Sequence, residues 1–162
     1  MGAWRNGKFI AHDDDFDYVI LIDEIEKIPE IYEKFKNSLQ NSKYKLRLIE
    51  TYAHKIEVYD ENYGKYALLG RDCQKKYNNN DYHYVSIDVQ FYIKDNDKYT
   101  KLYYVKSSTC SFSNKTILPL TSIELENEFF NAPAKIEQFL VENYGSLDPN
   151  ASYNAKTGLY EI

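Results

Sequence analysis

One stretch near the start of the chain decides its organisation: Asp13-Asp-Asp-Phe-Asp-Tyr-Val-Ile-Leu-Ile22. Its second half, residues 18–22, is a continuous β-branched and apolar run. Such a run is typical of a strand that is covered on both faces, rather than of one that faces water on one side. We therefore expect this strand to lie at the centre of a sheet.

The first half of the stretch brings carboxylates to the start of that strand. Side chains two apart on a strand share a face, so Asp15 and Asp17 can chelate one ion. Asp13 follows the same alternation, whereas Asp14 points the other way. Four carboxylates within five residues repel one another, and a bound divalent cation would remove this repulsion. Because the ligands are hard oxygens, the pattern favours Mg²⁺ or Mn²⁺.

Three other interpretations of the acidic run compete with a metal site. A solvated acidic loop is the usual environment of consecutive aspartates, and it stays open at this point. An EF-hand calcium loop is excluded, because its sixth position requires glycine and Tyr18 stands there. A helix that begins at the aspartates is disfavoured, because the residues that follow are typical of a strand.

Patterns elsewhere in the chain predict an α+β fold, a mixed β-sheet with helices packed on it. Alternating apolar residues indicate strands at residues 44–49, 54–59 and 85–93, the first two half-buried and joined as a hairpin. In the third of these strands, Asp88 falls on the face opposite to the apolar residues. This alternation gives Asp88 a place on a polar face of the sheet.

Two helices and a further hairpin complete the predicted elements. One helix begins at Pro29 and carries an apolar stripe of Ile31, Phe35 and Leu39 that packs on the sheet. The other covers residues 133–144 and ends at Gly145. The hairpin turns at Glu126-Asn127, because asparagine tolerates the positive φ of a tight turn.

Composition bounds the class of protein. A chain of 162 residues with 43% apolar residues predicts one domain over residues 1–162. With 20 basic and 25 acidic residues and no basic cluster, nucleic acid is not an expected partner. The apolar runs are far shorter than the ~20 residues of a membrane span. Cys73 and Cys110 fit neither a disulfide framework nor a metal motif, so we expect reduced thiols and a cytoplasmic location.

Other catalytic patterns leave few candidates. The three histidines, His12, His54 and His83, lack the spacing of metal ligands. Only His12 adjoins the acidic run, where it is a candidate for contacting a phosphate or a leaving group. Neither a Ser-His-Asp nor a Cys-His arrangement follows from the spacing, and the six glycines form no phosphate-binding loop.

Several blocks of the sequence resemble one family. The run Gly2-Ala-Trp-Arg-Asn-Gly-Lys-Phe-Ile10, followed by the aspartates at 13–17, is similar to the G-A-x-R-x-G-x-F-I-P-W-D-D-D-x-D stretch of LicD/fukutin phosphotransferases. Residues 87–92 resemble that family's later strand with a single Asp, and residues 117–126, 132–133 and 139–145 resemble its closing hairpin and helix. Ala11-His12 replaces the family's Pro-Trp, and residues 146–150 replace its double proline.

This resemblance implies a nucleotidyltransferase-like fold and a specific chemistry. Family members move a phosphorylated small alcohol, such as phosphocholine or an alditol phosphate, from a CDP-linked donor to a glycan hydroxyl. By resemblance, Asp15 and Asp17 would be metal ligands, and Asp88 would be a third ligand or the base. The resemblance also implies four contacts to the donor, from Arg5, Gly7, Lys8 and His12. Arg5 and Lys8 would contribute their charge, and Gly7 would let the backbone turn close to the ligand.

Two further functions fit the same resemblance. One is a non-catalytic module of this fold that binds a nucleotide or a glycan, since the family segment that precedes Gly2 has no counterpart here and part of the donor pocket is expected to be missing. The other is a nucleotidyltransferase that uses a nucleoside triphosphate and the same carboxylates. Metal dependence of cytidine-nucleotide binding separates the enzymes from a sugar-binding module.

Overall fold

The described part of the chain is built around a six-stranded mixed sheet. The computed structural model describes residues 1–9, 15–50, 54–60, 86–102, 111–154 and 156–162. The elements are α1 (Gly2–Asn6), β1 (Asp15–Ile22), α2 (Lys27–Leu39), β2 (Lys45–Ile49), β3 (Lys55–Tyr59), β4 (Ser86–Asp95), β5 (Lys98–Lys101), β6 (Ser111–Ser113), α3 (Asn114–Ile117), β7 (Thr121–Leu125), β8 (Glu128–Ala132), α4 (Ile136–Tyr144), β9 (Ser152–Asn154) and β10 (Leu159–Glu161). This mixture of strands and helices confirms the predicted α+β class.

Several sequence features fall outside these ranges. They are the aspartates at 13 and 14, the two cysteines, His12 and His83. In the ranges that the structure describes, none of the helices has the length and apolar character needed to cross a bilayer.

Strand β4 is the centre of the sheet. The order is β2-β3-β4-β5-β6, and β1 pairs with β4 in parallel. Strand β1 pairs with residues 86–93 along one edge of β4. The other edge is shared: β3 pairs with residues 86–90, and β5 pairs with residues 92–95. The prediction of a central β1 was wrong: among the described strands, β1 hydrogen-bonds to β4 alone. An apolar run indicates that both faces of a strand are covered, but it does not show whether other strands pair along both of its edges.

One face of the sheet packs against α2. Its buried core consists of Ile22, Ile28, Ile56, Val58, Val89 and Phe91. The predicted helix stripe of Ile31, Phe35 and Leu39 packs against this core. The helix begins at Lys27, so Pro29 stands in the first turn, where its missing N–H costs no hydrogen bond.

The opposite face is divided along β4 into an apolar half and a polar half. The apolar half contains Tyr92, Tyr99, Phe112 and Ile117, packed against Val19, Leu21, Leu118 and Phe139. The polar half contains Asp17, Ser86, Asp88 and Gln90 with Arg47, Lys55 and Glu57, which the strand registers place on one side of the sheet. The change from polar to apolar therefore occurs between Gln90 and Tyr92, within a single strand.

Helix α4 anchors the apolar half. The rings of Phe112 and Phe139 lie 4.7 Å apart between centroids. The helix begins at Ile136 rather than at Pro133, because the N–H groups of Ala134 and Lys135 donate to carbonyls at the end of α3. It ends as predicted at Gly145, which has φ of 80°.

The predicted β7–β8 hairpin is confirmed and connects to the start of the chain. Glu126 and Asn127 form its turn with φ of 51° and 66°, as a two-residue turn of this kind requires. The Glu126 N–H donates to the Gly7 carbonyl at 2.7 Å, and the Phe9 N–H donates to Glu126 Oε1 at 3.1 Å. The hairpin thus fixes the segment that leads towards the acidic run.

Candidate functional site

The strand register brings two candidate carboxylates together. In the parallel pair β1–β4, Asp17 stands directly beside Asp88, and Asp15 stands beside Ser86. Side chains of in-register residues on neighbouring strands project from the same face. The Asp17 residue is exposed, whereas Asp88 is 7% exposed. The two carboxylates therefore differ in access to solvent although they lie on the same face.

Both carboxylate oxygens of Asp88 accept hydrogen bonds. Ser86 Oγ donates to Oδ1 at 2.8 Å, and Lys55 Nζ donates to Oδ2 at 2.5 Å. Charge-assisted bonds of this kind fix the orientation of a carboxylate. Asp88 is thus held in place from its own strand and from β3.

The Lys55 ammonium belongs to a row of alternating charges across three strands. Its Nζ lies 2.9 Å from Glu57 Oε1, and Arg47 Nε donates to the other oxygen of Glu57. Burial opposes the charged form of Lys55, but the charges and hydrogen bonds of Asp88 and Glu57 outweigh it and raise its pKa above the ordinary value. Lys55 is therefore a fixed positive charge.

Lys55 and Glu57 were not predicted as site residues from the sequence. The alternation of β3 predicted a half-buried strand with these residues facing water, but they are only 6% and 5% exposed. The strand lies between β2 and β4, whose Arg47 and Asp88 supply the opposite charges, so Glu57 and Lys55 are each buried against an ion of the opposite sign. The sequence carries only a local signal, the pair of opposite charges two residues apart, and this pattern alone does not predict burial.

Asp17 has a different electrostatic environment from Asp88. Gln90 Nε2 donates to Asp17 Oδ1 at 2.8 Å. Although the residue reaches solvent, partial desolvation by the surrounding protein raises the pKa of its carboxyl, and the charge of Asp88 raises it further, against the opposing effects of Gln90 and Lys55. The ionised form is thus disfavoured in the fold, and a cation beside Asp17 would relieve this cost.

The chemistry of this pair is compatible with Mg²⁺ or Mn²⁺, because both side chains are carboxylates and one is open to solvent. Within the described ranges, no three His, Cys, Asp or Glu side chains are grouped as a metal-ion site. The role of Asp15, Asp17 and Asp88 as ligands therefore stays a prediction. Asp13 and Asp14 lie outside the described residues.

The four predicted donor contacts are placed as follows. Arg5 Nη2 donates to the Leu147 carbonyl at 3.3 Å, and Lys8 is exposed. Gly7 ends α1 with φ of 68° and donates to the Ala3 carbonyl. His12 lies outside the described residues. None of the described contacts joins Arg5, Gly7 or Lys8 to the aspartate pair, so their roles in donor binding stay predictions.

Gly7 has a structural role that can be tested. We expect Gly7→Ala to lower the free energy of unfolding by about 1–2 kcal/mol, because a residue with a Cβ is strained at this φ. Gly7→Asn should lose less, since asparagine tolerates the left-handed region. Urea denaturation of the three proteins measures this order, and equal stability of Gly7→Ala and the parent chain would contradict it.

Comparison with known proteins gives the family. The model of the LicD/FKTN/FKRP nucleotidyltransferase domain matches residues 1–135. The chain belongs to the LicD family. LicD proteins form a phosphotransferase-type, glycan-modifying family. The LicD match includes all of β1, β2, β3 and β4, and therefore every residue of the polar half. A search of curated proteins finds no match to the chain.

Proposed function

We propose that this protein is a metal-dependent phosphotransferase with a nucleotidyltransferase-like fold, formed by one domain over residues 1–162. It moves a phosphorylated small alcohol, of the phosphocholine or alditol phosphate type, from a CDP-linked donor to a glycan hydroxyl. One observation carries the proposal: within a LicD domain, Asp17 and Asp88 stand side by side on adjacent parallel strands.

Asp17 and Asp88 would hold Mg²⁺ or Mn²⁺, together with Asp15 by its resemblance to the family. The cation, when bound, supplies neutralising charge for the donor diphosphate and the leaving nucleotide. Gln90 orients the Asp17 carboxylate through its amide hydrogen bond. Ser86 and Lys55 orient Asp88, so one ligand is fixed in advance and the other is open to solvent.

The contacts of Asp88 favour a ligand role over a base role. A general base must come within hydrogen-bond reach of the hydroxyl that it deprotonates, and a glycan hydroxyl reaches a buried side chain less easily than a small cation does. Asp88 is 7% exposed, and each of its oxygens accepts one hydrogen bond and keeps a second lone pair for a cation. We therefore assign Asp88 to binding and orientation. Arg5, Lys8 and His12 remain candidates for the donor phosphates.

Metal binding provides the direct test. We expect Mn²⁺ at a hundred times its dissociation constant to stabilise the chain by about 2.7 kcal/mol, which is roughly 5–10 °C in melting temperature for a protein of this size. Asp17→Asn should abolish this increase because it removes the exposed ligand. Without metal, Asp17→Asn should melt at the same temperature or higher, since the repulsion with Asp88 is gone.

The matched control is Asp95→Asn, at the exposed end of β4. Asp95 accepts a hydrogen bond from the neighbouring Asn96 side chain and lies away from the polar half. This variant should keep the full response to Mn²⁺. An unchanged response in Asp17→Asn would show that the ion binds elsewhere and would refute the site.

A further inference from the structure

The strongest unassigned feature is the ammonium group of Lys55. It lies 2.5 Å from Asp88 Oδ2 and 2.9 Å from Glu57 Oε1. One positive charge thus bridges two buried carboxylates from different strands. Bridging carboxylates is also what a bound divalent cation does in an acidic site. Lys55 therefore occupies a cation position within the polar half.

The charges on the two sides of Asp88 are unequal. On the β3 side, Arg47 and Lys55 balance Glu57 and Asp88. On the β1 side, the carboxylate of Asp17 accepts a hydrogen bond from the Gln90 amide, and within the described residues it forms no salt bridge. The charge of Lys55 acts on it only from a distance. The two sides lie along opposite edges of β4. Among the described residues of the polar half, the carboxylate without an ion-pair partner is therefore that of Asp17.

Lys55 is held where it is by its surroundings. Its side chain is 8% exposed, and the Glu57 side chain that it contacts is 6% exposed. If the ammonium left, two buried carboxylates would lose their counter-charge, which is strongly unfavourable. A divalent ion close to the ammonium would in turn be repelled by it.

We infer that Lys55 takes the place of a second divalent ion, so that the active site holds one Mg²⁺ or Mn²⁺, beside Asp17. The inference rests on the proposed function, because it assumes that the aspartate pair binds a metal. Lys55 then acts as a positioning residue: it fixes Asp88 and supplies, as a permanent part of the fold, the charge that a second ion would bring.

The test is to count and locate Mn²⁺ ions in the whole chain. Crystals soaked with MnCl₂ and CDP are measured at a wavelength where manganese scatters anomalously, and calorimetric titration with Mn²⁺ gives the number of ions in solution. We expect one ion in the parent chain, beside Asp17. In Lys55→Met, which removes the charge and keeps the length of the side chain, we expect two, the second between Asp88 and Glu57.

Two variants serve as controls. Lys55→Arg keeps the positive charge and should bind one ion. Lys43→Met removes a lysine that pairs with a different buried carboxylate, that of Asp60 at 2.9 Å, and should also bind one ion. If Lys55→Met does not fold, Lys55→Gln replaces it, because its amide can still donate hydrogen bonds to the carboxylates while lacking the charge.

The outcomes separate this inference from the proposed function. Two ions in the parent chain would overturn the inference and leave the proposed function standing. A single ion in the neutral Lys55 variant would also overturn it, since the lysine would then not set the number. No ion in the parent chain would refute both. The expected result is one ion in the parent chain and in Lys55→Arg, and two ions in the neutral variant.

Discussion

Replacing Asp88 by asparagine should lower the rate at which the phosphorylated alcohol is transferred by at least ~10²-fold. This is the scale of losing one electrostatic contact in the transition state. The Asp17→Asn change should have an effect of the same size. Both substitutions remove a negative charge and nearly preserve shape, so the loss would arise from charge rather than from packing. Transfer of a labelled alcohol phosphate from a CDP-linked donor to a glycan acceptor measures it.

The control for this experiment is again Asp95→Asn, which changes an exposed carboxylate on the same strand. Its transfer rate should stay within about twofold of the parent rate, because rate effects of the ~10²-fold scale require a contact made in the transition state. Equal rates in Asp88→Asn and Asp95→Asn would refute the assignment of the site to this face of the sheet. Product analysis with CTP in place of the CDP-linked donor distinguishes a nucleotidyltransferase.

The second large effect concerns stability. Glu57→Gln should lower the free energy of unfolding by about 3–5 kcal/mol, because it leaves the charges of Arg47 and Lys55 without their shared buried partner. Chemical denaturation monitored by tryptophan fluorescence and by circular dichroism gives this value.

An exposed ion pair of the same chemistry provides the comparison. Glu33 pairs with Lys36 on the outer side of α2 at 3.1 Å, and both side chains are more than half exposed. Glu33→Gln should cost no more than about 1 kcal/mol, as exposed pairs do. Similar losses in the two variants would mean that the row of charges across β2, β3 and β4 is accessible to water.

The strand faces could be predicted from sequence because alternation is a local property. The pattern of residues 85–93 placed Asp88 opposite to the apolar side chains, and the pattern of the first strand placed Asp15 and Asp17 together. The structure pairs Asp17 with Asp88 in register, as these alternations allow. Which strand neighbours which is a non-local property, so the pairing of β1 with β4 alone, among the described strands, could not be derived from its apolar run.

Burial of charge was the other feature that sequence could not give. Lysine and glutamate at alternate positions usually face water, and nothing within β3 shows that Arg47 and Asp88 flank it. Short elements such as α1 and α3 were missed for a similar reason. Each has too few residues to show a hydrophobic period. Their tertiary hydrogen bonds, such as that from Arg5 to the Leu147 carbonyl, join residues that lie far apart in the chain.

The parallel pairing of β1 with β4 also has a kinetic consequence. The hydrogen bond from Gln90 to Asp17 joins residues 73 positions apart, and contacts of such long range form late in folding because the loop entropy must be lost first. We therefore expect the two carboxylates to meet after the folding barrier, with φ-values near zero for substitutions of Gln90. Interactions that form after the barrier change the unfolding rate rather than the folding rate. A cation held between β1 and β4 should accordingly lengthen the lifetime of the native state and leave the speed of folding almost unchanged.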